Sequence, residues 1–156
     1  MRIYMDVCCL NRPFDDQSRD RIRIESEAVL AILNRCLYDW ALVGSEAIDY
    51  EIFKIPDDER KKGVKVLAAI SRENVTVDES ILRRASELEN VGLKALDALH
   101  LACAEKSAEV MLTTDDEIVK KVMANDNIVK VRVENPVRWL MEVTENESKD
   151  HQRNKT

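Results

Sequence analysis

Ile3-Tyr4-Met5-Asp6 sets the reading of the whole chain. The run is almost wholly apolar and shows no in-out alternation, as expected of a strand in a sheet covered on both faces. It closes on an acid. A second run of the same kind, Val110-Met111-Leu112-Thr113-Thr114-Asp115, closes the same way. Between them, residues about 18–39 place Ile22, Ala28, Val29, Ile32, Leu33 and Cys36 at helical spacing. Trp40 to Val43 reads as a short strand, Gly44-Ser45 as a turn, and Ser45 as the cap of a helix that ends near Ile55-Pro56. Further helices are expected from Asp57-Asp58 and over 79–91, 94–107 and 116–125. Gly92 suits a helix end. Val75 to Val77 is expected to be briefly extended, and Asn11 to Asp16 a loop. Ile128 to Val133 reads as a strand, and Pro136 opens a last helix carrying Trp139 and Leu140. Strands alternating with helices predict an α/β fold around a mainly parallel sheet.

At 156 residues, 45% hydrophobic and 35% charged, the chain suits one folded domain over residues 1–144. Residues 145–156 hold no apolar side chain and are expected to be a disordered polar tail. No apolar run reaches the ~20 residues of a membrane span, and no basic-plus-apolar leader precedes the first strand, so the expected location is the cytoplasm. Cys8, Cys9, Cys36 and Cys103 show no Cys-x-x-Cys or zinc spacing with His100 and His151, and read as buried free thiols. Three glycines, Gly44, Gly63 and Gly92, are too few for a phosphate loop or dinucleotide fingerprint. The formal charge of −6 is opposite to that of a typical nucleic-acid binder. The objection weakens if several of the acids form one site offset by metal.

Asp6, Glu51, Asp97 and Asp115 stand where apolar or turn sequence is expected to continue. Asp97 interrupts Ala95-Leu96-Asp97-Ala98-Leu99-His100-Leu101-Ala102, and a buried carboxylate without a partner costs several kcal/mol. Sites in open parallel sheets form beyond the carboxyl ends of the strands. Asp6 and Asp115 both fall at such ends. Glu51 lies about two turns into the helix after the Trp40–Val43 strand, and Asp97 lies early in its own helix. Four carboxylates over one edge suit one or two Mg²⁺ or Mn²⁺ ions, which prefer oxygen ligands and activate water at a phosphate ester.

Met5-Asp6-Val7-Cys8, Ser45 with Glu51, Leu96-Asp97-Ala98-Leu99-His100-Leu101-Ala102 and Leu112-Thr113-Thr114-Asp115 resemble, in that order, the motifs of PIN-domain proteins, among them the VapC-like toxin ribonucleases. The resemblance covers about residues 1–140. It implies a three-layer α/β/α sandwich, with Asp6, Glu51, Asp97 and Asp115 as the successive metal-binding and catalytic acids. It also implies Mg²⁺- or Mn²⁺-dependent cleavage of single-stranded RNA to a 5′-phosphate and a 3′-hydroxyl, an antitoxin protein as partner, and a homodimer. Leu37, Tyr38 and Trp40 are candidates for part of such an interface. Cys8 departs from the small polar residue usual at its place, and a thiol is a poorer hydrogen bonder.

Neighbouring residues compete for these roles. Glu46 or Asp49 can replace Glu51, and Asp116 can replace Asp115. Asp115 can also cap the helix that starts at residue 116, which is compatible with metal binding. His100, three residues after Asp97, is a tempting general base, yet a histidine on an apolar helix more often packs or makes one hydrogen bond. Thr113 and Ser45 are candidates to orient the acids. Arg12 reads either as a phosphate grip or as a surface ion pair with Asp15 or Asp16. Lys61, Lys62 and Lys65 read as a solvated helix face rather than an RNA contact. The reading is therefore a metal-dependent endoribonuclease, the toxin of a toxin–antitoxin pair. The alternatives are a PIN-like module that binds RNA or protein without cutting, and a phosphohydrolase of another kind, against which the missing Asp-x-Asp pattern counts.

Overall fold

The computed structural model describes residues 1–155. The chain runs β1 (Arg2–Met5), α1 (Val7–Asn11), a 3-10 turn (Arg12–Phe14), α2 (Asp20–Cys36), β2 (Ala41–Ser45), α3 (Glu46–Phe53), α4 (Asp58–Ala68), β3 (Glu73–Val75) and α5 (Glu79–Glu89). It continues through α6 (Ala95–Ser107), β4 (Val110–Leu112), α7 (Asp116–Met123), β5 (Arg132–Glu134) and α8 (Pro136–Arg153). The five strands form one parallel sheet in the order β3-β2-β1-β4-β5. Ile3, Tyr4 and Met5 are fully buried, and so are Met111 and Leu112. Runs this apolar need helices on both faces of the sheet. α2 packs with α8, and α5 with α6, which completes the three layers expected from the sequence.

Strand order explains where a site can form. The chain builds outward from β1 through β2 to β3, then crosses to the other side of β1 for β4 and β5. The connections therefore diverge between β1 and β4, and at such a switch point the carboxyl ends of the strands open a crevice. Ile3 pairs in register with Val110 and Met5 with Leu112, so the two chains reach that edge level with one another. The step from α5 into α6 turns at Gly92, whose φ of +93° is a left-handed conformation that suits glycine. That turn aims the first turn of α6, with Asp97, at the same edge.

Several boundaries differ from the sequence reading. The 11–16 loop contains the 3-10 turn Arg12–Phe14. The strand expected over Ile128–Val133 shrinks to Arg132–Glu134; Val129 and Val131 are buried without pairing as strand. The largest difference is the polar C-terminus, where α8 continues to Arg153 through residues expected to be disordered; Thr156 lies outside the described residues. That extension has contacts of its own. Arg35 Nη1 reaches Glu147 at 2.8 and 3.0 Å, and the Thr144 and Ser148 hydroxyls bond carbonyls one turn back. Arg153 places a positive group at the helix C-terminus. Trp40, read as an interface residue, is instead core: its ring meets Trp139 edge-on at 5.1 Å, and the Arg35 guanidinium covers it at 3.8 Å. Leu37 and Tyr38 are exposed. No helix among the described residues is long and apolar enough to cross a membrane.

Candidate metal centre

Asp6 follows β1 directly. Its N–H donates to the Leu112 carbonyl at 3.2 Å, continuing the β1–β4 pairing by one residue. Its carboxylate caps α1: Oδ1 accepts from the Cys9 N–H at 3.1 Å and from the Cys8 thiol at 2.8 Å. Beyond β4, the Thr113 N–H donates to the Glu134 carbonyl at 3.1 Å, and the Asp115 N–H to Thr113 Oγ1 at 3.1 Å. Asp115 then caps α7 through the Glu117 N–H at 2.9 Å. On the other side, Ser45 ends β2 and caps α3 by accepting from the Ile48 N–H at 3.1 Å. Glu51 is carried on that helix, and Asp97 lies in the first turn of α6.

These four elements bring Asp6, Glu51, Asp97 and Asp115 to the wall of one cleft of about 120 Å³, with Cys8 and His100 beside them and Val7 and Ile118 as apolar lining. Among the described residues no lysine or arginine lines it. Asp6 is only 6% exposed. Burial pushes its carboxyl well above the usual carboxylate range; the Cys8 contact adds to the rise and the Thr113 hydroxyl opposes it. Burial also raises Asp97, followed by the neighbouring charges of Asp115 and Glu51, with His100 pulling the other way. Such acids hold protons for want of positive charge.

That donor set fits a hard divalent cation: carboxylate oxygens from four directions, uncompensated charge, and two of the acids raised. The carboxylates stand apart, because among the described residues only Asp6, Cys8 and Cys9 have ligand atoms all within 4.8 Å of one another. Cys9 is buried in the core; Cys8 is half-buried at the cleft.

The competing residues are placed elsewhere. Asp116 is held by both guanidinium nitrogens of Arg21, at 2.8 Å each. Asp49 lies at 3.4 Å from the Asn74 amide, by a different cavity next to Gly44 and Ser71, and Glu46 is exposed away from the cleft. Arg12 is engaged by Asp15 and Glu25, each at 3.1 Å, the ion-pair reading except that Glu25 takes the place of Asp16. Lys61 sits over the Phe53 ring, Lys62 and Lys65 are exposed, and none of the three lines the cleft. A larger groove of about 660 Å³ between α2, α7 and the start of α8 contains Arg21, Glu25, Asp116 and Arg138. Its acids are already paired with arginine, so it lacks the unmatched negative charge of the smaller cleft.

Two residues of the cleft carry more than their sequence context implied. Cys8 does bond Asp6, despite the weakness of a thiol as a hydrogen bonder. Tyr4, read only as strand, places its hydroxyl 2.6 Å from His100 Nδ1 and 2.8 Å from Ser45 Oγ, and His100 Nε2 lies 3.1 Å from Glu51 Oε1. The available signal was a phenol and an imidazole, each inside an otherwise apolar segment, since two buried polar heads require partners.

Comparison with known proteins agrees with this geometry. The family profile described as "PIN domain" matches residues 12–124, a span that includes Glu51, Asp97 and Asp115 and begins after Asp6. Comparison with curated protein sequences returns no match. Among solved structures, the chain is similar to FitAcB from Neisseria gonorrhoeae, at 18% identity and a TM-score of 0.58 over 86% of this chain and 97% of that one. It is similar to VapBC2 from Rickettsia felis bound to a DNA fragment from its promoter, at 14% identity and a TM-score of 0.54 over 86% and 98%. It is also similar to VapBC-1 from nontypeable Haemophilus influenzae, at 16% identity and a TM-score of 0.55 over 87% and 98%. At these identities the likeness shows the fold.

Proposed function

The chain belongs to the PIN domain family, and on that premise we propose that it is a metal-dependent endoribonuclease, the toxin of a toxin–antitoxin pair, cutting single-stranded RNA at the four-acid cleft. The observation that carries this reading is the convergence of Asp6, Glu51, Asp97 and Asp115 on one cleft that no described lysine or arginine lines. A site built only to bind RNA would present positive charge to the phosphates. A wall of carboxylates repels them unless a cation intervenes.

Asp6 and Asp97 are the main ligands of this proposal, with Glu51 and Asp115 completing the set. A bound Mg²⁺ or Mn²⁺ supplies charge neutralisation at the scissile phosphate and lowers the pKa of an attacking water. The protein's own part is positional. The β1–β4 edge fixes Asp6, and its cap bond to the Cys9 N–H holds the carboxylate orientation. The Thr113 hydroxyl sets the turn that presents Asp115. Val7 and Ile118 line the cleft with apolar surface, which limits competing water.

An antitoxin partner is proposed because the similar solved structures are VapBC and FitAB assemblies. Homodimer formation remains part of the same proposal. Incubation of purified protein with single-stranded RNA, with Mn²⁺ and then with EDTA, tests the activity. Cleavage that requires metal and is lost in Asp6→Asn is the expected result. RNA binding without cleavage in the presence of Mn²⁺ would overturn it in favour of a binding module.

A further inference from the structure

The geometry points to His100 as a positioning residue that fixes the orientation of the Glu51 carboxylate toward the metal site, with Tyr4 locking the imidazole in the donating tautomer. This inference rests on the metal-site reading above and assigns a role inside it.

Its basis is a continuous line of side chains through the core. Ser45 Oγ lies 2.8 Å from Tyr4 Oη, Tyr4 Oη 2.6 Å from His100 Nδ1, and His100 Nε2 3.1 Å from Glu51 Oε1. Four elements contribute: β1, the end of β2, α3 and α6. Ser45 and Tyr4 are fully buried and His100 is 1% exposed, so water is kept from the line up to Glu51, whose side chain is 29% exposed. Each member has few hydrogens to give, and that decides their direction. An ionised Glu51 accepts only, so His100 Nε2 must carry the proton. In the neutral imidazole Nδ1 is then the acceptor for the Tyr4 O–H, which leaves Tyr4 Oη to accept the Ser45 O–H. In the opposite arrangement the Nε2 lone pair would face a carboxylate oxygen, and the buried contact would be repulsive.

Two consequences follow for chemistry. With both ring nitrogens engaged inside the protein, His100 has no lone pair for a substrate proton, so the general-base role does not fit. The bond instead takes one oxygen of Glu51 and leaves the other as the available ligand. A free glutamate side chain loses rotamer entropy when it is fixed. An imidazole anchored beforehand removes much of that cost from metal binding. Asp97 and His100 are three residues apart on one face of α6. The same helix face thus supplies one acid directly and the clamp for another.

The test is calorimetric titration of Mn²⁺ into the full chain, stripped of metal, for the wild type, Asp97→Asn, His100→Ala, His100→Gln and Tyr4→Phe. Melting in EDTA establishes that each variant is folded. Asp97→Asn should lose binding and so show that the titration reports on the acid cleft. His100→Ala should weaken Mn²⁺ by about 10–100-fold, the usual effect of losing an outer hydrogen-bond partner of a ligand. His100→Gln should recover most of that loss, because its amide N–H can replace Nε2–H. Tyr4→Phe should weaken binding by a smaller factor with the ring volume kept. If His100→Ala fails to fold, the glutamine and phenylalanine variants carry the test. Wild-type affinity in both His100 variants, with binding lost in Asp97→Asn, would overturn the positioning role and leave the metal site standing. Equal weakening in His100→Ala and His100→Gln would assign His100 to packing and overturn the role as well. No Mn²⁺ binding by the wild type would overturn the metal-site reading itself, and this role with it.

Discussion

Arg21 grips Asp116 through both guanidinium nitrogens, at 2.8 Å each, across the gap between α2 and the start of α7. Asp115, one residue earlier, lines the acid cleft. Two adjacent acids thus have separate tasks. Asp115→Asn should reduce metal-dependent RNA cleavage at least tenfold, whereas Asp116→Asn should leave it within about threefold. Because the Arg21–Asp116 pair is exposed, its loss should cost less than ~1 kcal/mol. Parallel cleavage assays on the two variants decide this, and the reverse ranking would reassign the fourth acid.

Asp6→Asn should raise the melting temperature of the metal-free protein at neutral pH. Burial holds the Asp6 carboxyl well above its usual range, so the folded chain binds that proton more tightly than the unfolded chain. Stability is then lost as pH rises from the unfolded value, about 4, through the raised folded value. Asparagine cannot ionise and escapes that loss. Melting curves from pH 4 to pH 8 should show no difference at the acid end and a growing advantage for the variant above it. With Mn²⁺ the order should reverse, because only the wild type gains the linkage term.

Metal affinity should fall on mild acidification. Asp6 and Asp97 both hold protons above the ordinary carboxylate range, and a protonated carboxyl is a poor ligand. Mn²⁺ titrations at pH 7.5 and pH 5.5 should therefore differ several-fold in affinity. Identical affinities would show that the two acids are already ionised at pH 5.5.

Glu25→Ala should be among the most destabilising single changes outside the cleft. Glu25 is 2% exposed and accepts from Arg12 Nε at 3.1 Å, Asn135 Nδ2 at 2.7 Å and Arg21 at 3.5 Å. It ties α2 both to the turn after α1 and to the cap of α8. Removing it takes one of two carboxylate partners from the half-buried Arg12 guanidinium and leaves the Asn135 amide unpaired, a loss of about 3 kcal/mol. Denaturant unfolding measures it, and a change below 1 kcal/mol would show that the arginines find other partners.

Hydrogen exchange distinguishes a helical from a disordered end. Amides of residues 145–150 should be protected in the wild type, and Arg35→Ala should reduce that protection, because Arg35 anchors Glu147. Exchange at the free-peptide rate in both proteins would mean that α8 ends near Thr144.

Local sequence reveals some of these features and hides others for identifiable reasons. Asp6 and Asp97 were legible because an acid inside an apolar run needs a cause. Glu51 was less so. Asp49 shares its helix and composition, and only the rotation of α3 against α6 puts one in the cleft and the other beside Asn74. The Tyr4–His100–Glu51 line joins residues 49 and 96 positions apart, and nothing local to any of them announces the pairing. The polar end of α8 is hidden because it carries no apolar face. There an arginine from another helix and hydroxyl bonds within the helix act in its place.

The order of the strands along the chain bears on when the protein acquires activity. The cleft draws on residues 6, 51, 97 and 115, and β1, just before the first of these, pairs with β4, just before the last. A growing polypeptide on the ribosome therefore holds an unpaired β1 edge and an incomplete set of acids until most of it has emerged. A chain that stops before β4 lacks the fourth acid and the partner for β1. The topology thus withholds the full set of acids until β4 and the turn after it have been made.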